Sequence, residues 1–318
     1  MITKNIELAI QVLNEDNLVA IPTETVYGLA GNAFSESAVH QIFELKNRPL
    51  HNPLIVHIQS IDYLSEVAKE IPDKAYQLAK AFWPGPLTLV LNKKDTIPDV
   101  VSAQKNTVAV RVPNHPLLLE LLANIDFPIA APSANPFGSI SPTSAMHVAN
   151  YFGDELEIIL DGGECEKGIE STIVGFDGED AVLYRMGAIS IEDIKKEIGD
   201  LQLITKNDIN PEAPGMLSKH YAPKTKMYLT NQVHELIQNF NHQKIGVLLF
   251  EKNLSQQNIK HQEILSATGN LNEAAKNLYA AMHRLDHSHL DIIVAERLPD
   301  IGLGKTINDK LERASKKE

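Results

Sequence analysis

The sequence predicts a two-part α/β protein: a mixed, twisted sheet with flanking helices over residues 1–200, then a small parallel, Rossmann-like α/β unit over 227–318. Three observations carry this prediction. Short β-rich runs alternate with helical periodicity through the first 200 residues, the pattern of a layered α/β architecture. Two runs, 171–176 and 182–186, lie close enough to form a hairpin, which makes the sheet mixed rather than purely parallel. Between 201 and 226 the periodicity stops in a segment with three prolines, and a β-α-β-α-β-α order begins after it.

The elements follow in order. Thr3 to Asn14 reads as an amphipathic helix with Ile6, Ile10 and Leu13 on one face, and LVAIP (18–22) as a short buried strand bounded by Asn17 and Pro22. Ser35 is an N-cap for a helix to about Lys46, closed off by Pro49. PLIVHI, LTLVL, TVAVRV, IAAPS, EIILD, STIVGF and VLYRM are strands, with helices near 61–82, 115–123, 143–152 and 190–198. Beyond the 201–226 linker, strands MYLT, KIGVLLF and DIIVAERL alternate with helices near 232–240, 270–286 and 304–316.

Composition excludes several classes. At 318 residues, 43% hydrophobic and 22% charged, the chain can build a core in each unit. A net charge of −12 argues against a surface that as a whole traps nucleic acid or anionic lipid, and leaves a local basic cavity open. Cys165 is the single cysteine, so an intrachain disulfide or a multi-cysteine metal site is excluded. The amino terminus lacks a signal-peptide pattern and no apolar run approaches the roughly 20 residues of a bilayer span, so a cytoplasmic location is expected.

Four stretches could carry chemistry. PTETVYGLAG (22–31) places two threonines, a glutamate and a tyrosine in what reads as a strand-to-helix loop; turn and cap chemistry is the alternative. KNRPLHNPLIVH (46–57) sets Lys46 and Arg48 beyond a helix, with Asn52 and His57 beside the next strand. A fixed Lys-x-Arg pair suits phosphate, although cations at a helix C-terminus are also favourable for the dipole alone. His57 has apolar neighbours and could be a hydrogen-bonded core histidine; metal ligation is weaker, for want of a spaced second ligand. In TVAVRVPNHP (107–116), Thr107, Ala109 and Arg111 share one side of a strand; the buried arginine needs an anion, either a substrate carboxylate or an internal Asp or Glu. APSANPFGSISPT (131–143) runs from a strand into a helix and could cradle an anion or simply cap that helix. In GIESTIVGF and YRMGAIS (168–190), Ser171 opens one strand and Arg185 ends its partner. No P-loop, no G-x-G-x-x-G fingerprint and no G-x-S-x-G elbow occurs.

Together these stretches resemble the threonylcarbamoyl-adenylate synthase family, which has the YrdC-like fold. PTETVYGL, KNRPLHNPLIVH, TVAVRVPNHP, APSANPFGSISPT, GIESTIV and YRMG occur in family order over most of residues 5–195. APGMLSKHYAP (213–223) and AERLPDIGLGKTINDKLERA resemble the interdomain segment and C-terminal domain of the longer branch.

The resemblance implies an ATP-dependent adenylation of L-threonine and bicarbonate, giving threonylcarbamoyl-adenylate and pyrophosphate for tRNA modification. It implies that Thr25, His57, Arg111, Ala131 and Ser171 surround L-threonine, with Ala131 contributing backbone. Arg48, Asn52, Thr107, Ser133, Ser141, Arg185 and Tyr221 match positions that hold ATP or the adenylate, and Lys46, Arg48, Ser133 and Asn135 form the Lys-x-Arg…Ser-x-Asn signature. Mg²⁺ is expected to enter with ATP, without dedicated protein ligands. A separate tRNA threonylcarbamoyl transferase is the expected downstream partner, and any direct tRNA contact is expected to be weak. A carbamoyl transferase of the hydrogenase-maturation type, which carries cysteine-rich modules, does not suit one cysteine and 318 residues. An RNA-binding factor is disfavoured by the acidic balance, and an idle scaffold by the full set of polar motif residues.

Overall fold

The computed structural model describes residues 1–205, 211–217, 220–240 and 242–316. After strand β1 (Ile2–Thr3), the side chain of Asn5 accepts from the N–H groups of Glu7 and Leu8 and so starts α1 (Ile6–Asn14), a little later than periodicity alone suggests. Strands β2 (Val19–Ile21) and β3 (Gly28–Asn32) are antiparallel neighbours. Within the 22–31 stretch, residues 22–27 therefore connect two strands and 28–31 belong to β3, so it is not the strand-to-helix loop read from sequence. GLAGN hides its strand because it has two glycines and no β-branched residue. Ser35 caps α2 (Glu36–Lys46), which ends on Asn47 in the left-handed conformation.

Next come β4 (Ile55–His57), α3 (Leu64–Val67) and α4 (Asp73–Phe82); the helical stretch expected at 61–82 is broken ahead of Pro72, as proline requires. The first unit continues through β5 (Leu87–Asn92), β6 (Thr107–Arg111), α5 (Pro116–Ala123), β7 (Ile129–Ala130), α6 (Ala145–Phe152) and β8 (Ile158–Leu160). It closes with β9 (Thr172–Asp177), β10 (Asp180–Arg185), α7 (Ile191–Ile198) and β11 (Gln202–Leu203). Among the described residues its eleven strands form one sheet in the order β1-β8-β2-β3-β7-β4-β6-β5-β9-β10-β11. The sheet is mixed, with β9 and β10 forming the antiparallel hairpin and β4 running parallel to β6.

The second unit contains β12 (Lys226–Thr230), α8 (Val233–Gln238), β13 (Ile245–Leu249), β14 (Ile259–Ile264), α9 (Leu271–Asp286), β15 (Ile292–Glu296) and α10 (Leu303–Ala314). Among the described residues its four strands are all parallel, in the order β12-β15-β13-β14. The sequence does not predict strand β14: IKHQEI has four polar residues in a row between its two isoleucines and is mostly half-buried, so it lacks the apolar run of a central strand.

Packing decides where a cavity is possible. One face of the large sheet is covered by α2, α4, α6 and α7 through residues such as Ile42, Leu78, Val148 and Ile194, and Val108, Val110 and Val112 point into that core. Helices α1 and α5 cover part of the other face through Leu13, Leu118 and Leu121. A third patch, Ile55, Ala109 and Ile173, is covered by Ala213 and Met216 of the connecting segment. Fully burying Met216 contributes roughly 1.5–3 kcal/mol to holding that segment down. Helices α9 and α10 build the core of the second unit, and that core also takes in Val26, Ile140, Ile169 and Tyr221. Among the described residues no helix is long and apolar enough to cross a membrane.

Candidate active site

The cavity lies against the sheet where several strands end. The parallel register of β4 and β6 sets His57 beside Arg111 at the last position of each strand. Thr25, in the β2–β3 connection, accepts from Arg111 Nη1 at 2.9 Å, and Thr23 Oγ1 stands 2.7 Å from Thr25 Oγ1. Arg111 Nε donates to the Gly85 carbonyl at 3.2 Å, and Nη2 lies 2.6 Å from Glu24 Oε1. Of the two anions considered for this arginine, the chain thus supplies the internal one. Its burial is explained without a substrate carboxylate, although its guanidinium still lines the cavity. His57 is 3% exposed, and burial beside Arg111 pushes its pKa down to about 3, so its imidazole is neutral near pH 7.

Ser171 and Arg185 form the opposite wall. Arg185 Nη2 donates to Ser171 Oγ at 2.9 Å and, with Nε, to the Ser171 carbonyl at 2.9 and 3.0 Å. Ser171 Oγ also lies 2.8 Å from Thr88 Oγ1. Ala131 follows β7 on the floor; its N–H is already given to the Ile55 carbonyl at 2.9 Å, so the backbone group left to it is its carbonyl. Arg48 donates to the Asn52 and Pro53 carbonyls at 3.1 and 2.7 Å and lines the cavity with Ser133. Burial, with Arg185 nearby, pushes Arg48 down to about 9, which leaves it charged at neutral pH.

The connecting segment closes the site. Pro214, Gly215, His220 and Tyr221 line it, Pro214 accepts from Arg185 Nη1 at 3.3 Å, and Ala222 N–H donates to the Gly138 carbonyl. Tyr221 is buried with φ 64°. Residues 206–210 and 218–219 of the expected 201–226 lid lie outside the described residues.

Thr25, Arg48, His57, Arg111, Ala131, Ser133, Ser171, Arg185 and Tyr221 thus meet in one cavity. The other expected residues stand elsewhere. Lys46 Nζ donates to the Ser133 carbonyl at 2.6 Å and to the Asn135 carbonyl, so it pins the Ser-x-Asn loop from behind. Burial, reinforced by Arg48, lowers the Lys46 pKa well below its usual value. Asn135 itself donates to the Pro136 and Ser139 carbonyls. Ser141 Oγ donates to Glu170 Oε1 at 2.7 Å behind the wall. Asn52 is fully buried beneath Arg48, and neither amide atom has a partner among the described residues. Thr107 opens β6, at the end of the strand remote from Arg111, and is half-buried outside the cavity.

Thr23, Glu24, Glu170 and His220 also stand at or beside the cavity, although the sequence assigns no individual role to them. All four stand inside the motifs it singled out, so the signal was residue type within a motif: Glu24 is the acid two residues after Pro22, and Glu170 precedes Ser171. Glu170 accepts from Tyr279 Oη at 3.1 and 2.9 Å, a contact that crosses between the two units.

Comparison with known proteins adds lineage to this geometry. A family model described as "Telomere recombination" (Sua5_yciO_yrdC) matches residues 11–187, and one described as "Threonylcarbamoyl-AMP synthase, C-terminal domain" matches residues 189–316. The threonylcarbamoyl-AMP synthase of Pyrococcus abyssi is 41% identical, over 98% of this chain and 94% of its own length. That of Bacillus subtilis is 39% identical, over 96% of this chain and 92% of its own. The crystal structure of P. abyssi Sua5 complexed with L-threonine superposes with a TM-score of 0.91, at 41% identity, covering 98% of this chain and 94% of that one. Full-length HypF in its phosphate- and nucleotide-bound form, at 20% identity and a TM-score of 0.52 over 57% of this chain, shares the fold alone.

Proposed function

The chain belongs to the threonylcarbamoyl-AMP synthase family, and from that premise we infer that the cavity under the connecting segment is its adenylation site. The enzyme is a nucleotidyltransferase that forms threonylcarbamoyl-AMP and pyrophosphate from L-threonine, bicarbonate and ATP, for tRNA modification. One observation carries the assignment of the site: Arg48, Arg111 and Arg185, from distant stretches of an acidic chain, converge with the hydroxyls of Thr25, Ser133 and Ser171 around one buried space.

The proposed sequence has two steps. The threonine amine adds to carbon dioxide derived from bicarbonate, giving N-carboxy-threonine; its new carboxylate attacks the α-phosphorus of ATP and pyrophosphate leaves. In the adenylation step N-carboxy-threonine, ATP and pyrophosphate are all anionic, so orientation and charge neutralisation supply most of the acceleration. Arg111, with Thr25, His57, Ala131 and Ser171, takes threonine. Glu24 and Gly85 hold that guanidinium in place, leaving the second protons of Nη1 and Nη2 for the carboxylate. Arg48, Ser133 and Arg185 neutralise the phosphates, while Lys46 acts by holding the Ser133–Asn135 loop. Asn52 is a buried amide without a partner among the described residues, an arrangement that favours a ligand able to bond it. Thr107 and Ser141, assigned to the nucleotide by resemblance, reach it in this reading only after the closing segment rearranges.

Residues 201–226 are proposed as a lid between a catalytic unit (1–200) and the C-terminal unit (227–318). The lid's Pro214, Gly215 and Tyr221 occupy the mouth of the cavity, so ATP enters when the segment lifts. Its return excludes water from the reactive mixed anhydride. Mg²⁺ would neutralise phosphate charge and arrive with ATP. The carboxylate that lines the cavity, Glu170, is already bonded to Ser141 and Tyr279, which leaves phosphate and water oxygens as hard ligands. A tRNA threonylcarbamoyl transferase in the cytoplasm would consume the product. At a net charge of −12 any direct tRNA contact would be weak and lost with added salt.

Pyrophosphate release measured with ATP and bicarbonate, and with threonine, serine or no amino acid, tests the assignment. Release should require threonine. Arg48→Ala should slow it by more than about tenfold, from loss of one desolvated cation worth roughly 2–4 kcal/mol. Equal release with and without threonine, or an unimpaired Arg48→Ala enzyme, would refute the site.

A further inference from the structure

We propose that Lys310, on the last helix of the C-terminal unit, is a positioning residue for the adenylation: its ammonium holds Tyr221 and Glu170 along one wall of the cavity, so that the second unit completes the active site of the first. The proposal rests on the reading of Tyr221 as a nucleotide contact.

Three features converge on Lys310. First, α10 buries its polar face, with Asp309, Lys310 and Arg313 all nearly inaccessible, and Lys310 entirely so. An ammonium is a poor filler for an interior unless its contacts are used. Second, those contacts lead to the cavity. Nζ donates to the Met186 carbonyl at 3.0 Å, one residue beyond Arg185, and to Tyr221 Oη at 3.3 Å. It also lies 4.8 Å from the centre of the Tyr221 ring and 3.8 Å from Glu170 Oε2. Tyr221 and Glu170 both line the cavity, whereas Lys310 does not. Third, Tyr221 needs support. It holds a left-handed backbone, φ 64°, that a bulky side chain rarely adopts, and Tyr279 of α9 stacks on it at 5.6 Å while bonding Glu170. Helices α9 and α10 thus brace one wall of a site that belongs to the other unit.

The charge on Lys310 supplies a readout that mere packing would not. Its neighbours are Glu170 and Tyr221 across the interface, Arg185 at the end of β10, His220 of the connecting segment, and Asp309 and Arg313 on its own helix. Burial pushes it down to about 8, against Glu170 and Asp309, which favour its charged form. Above that pH the ammonium loses its proton and its hold on Glu170.

The test is steady-state pyrophosphate release by the full chain and its Lys310→Met, Lys310→Arg, Tyr221→Leu and Lys310→Met/Tyr221→Leu variants. Lys310→Met should lower kcat/KM for ATP by about tenfold or more, with KM for threonine changed less than about twofold, and Lys310→Arg should recover most of the loss. Adding Lys310→Met to Tyr221→Leu should cost less than about twofold further, because the lysine acts through the tyrosine. The alkaline limb near pH 8 should move up by about half a unit or more in Lys310→Arg. An active wild type with an unimpaired Lys310→Met, a parallel loss of threonine affinity, or losses that multiply in the double variant would overturn the proposal. Should Lys310→Met fail to fold by circular dichroism, an unmoved alkaline limb in Lys310→Arg would overturn it instead. A wild type inert toward threonine and ATP sinks the assigned reaction itself, and this proposal with it.

Discussion

Arg111 is gripped from three sides, by Glu24, Thr25 and Gly85, and with 3% of its surface exposed it is a structural residue as well as the proposed threonine contact. Its removal strands the Glu24 carboxylate in the interior. Arg111→Ala is therefore expected to lose about 3–5 kcal/mol of stability in urea unfolding, because a buried charge without its partner is far costlier than the pair. A loss below about 1 kcal/mol would show the pair is not holding the β2–β3 connection to β6. At this scale the sequence was informative about residue type and side of strand. Alternation put Arg111 and Thr107 on the same side of β6, yet the cavity sits at one end of that strand only, so Arg111 lines it and Thr107 does not. Lys46 and Arg48, two residues apart, part in the same way: Arg48 reaches the cavity and Lys46 reaches the loop behind it.

The connecting segment is the element in which local irregularity has the clearest purpose. Gly215 has φ +84°, and a Cβ there would stand 2.7 Å from Arg185 Cδ and 3.3 Å from Tyr221 Oη. Gly215→Ala should displace the segment rather than unfold the protein. A backbone strain of about 1–2 kcal/mol predicts roughly a tenfold rise in KM for ATP, with the melting temperature nearly unchanged. An unaltered KM would mean that the segment does not touch the nucleotide. From the sequence this element was legible as a break in periodicity with three prolines. Its burial was not, because Ala213 and Met216 find apolar partners as far back in the chain as Ile55, Val90 and Ala109 on β4, β5 and β6. Strands β3 and β14 escaped notice for a related reason: each owes its conformation to flanking strands, β2 and β7 for one and β13 for the other, more than to its own residues.

For the whole molecule, buried histidines set the response to acid. His57 and His283 are both pushed down to about 3 by burial, aided by Arg111 and His147 respectively, and His220 is lowered by burial and by surrounding cations, Arg48 foremost. In the unfolded chain these side chains take up protons near pH 6.5. In the folded one His57 and His283 refuse them until about 3. Protons therefore favour the unfolded state, and stability should fall as pH drops from 6.5 toward 3. Between pH 7 and 5 the loss is about 2 kcal/mol per histidine, seen as a lower urea midpoint. Equal midpoints at the two pH values would contradict this. His283 stacks on His147 across the two units at 4.0 Å, and charging it at that buried contact is unfavourable, so acid should loosen their docking as well as each core.

The architecture, the catalytic family and the inventory of cations and hydroxyls at the site were readable from the chain alone, since these follow from periodicity, motif order and residue chemistry. Tertiary structure alone decided which of those groups share a space. It moved Lys46, Asn52, Thr107, Asn135 and Ser141 off the cavity lining, gave Arg111 an internal counter-charge, and brought Lys310 and Tyr279 from the far end of the chain to its wall. The physical reason is that a side chain's identity is local, whereas its electrostatic surroundings come from groups distant in sequence. Here those surroundings are set by strand register and by the docking of α9 and α10.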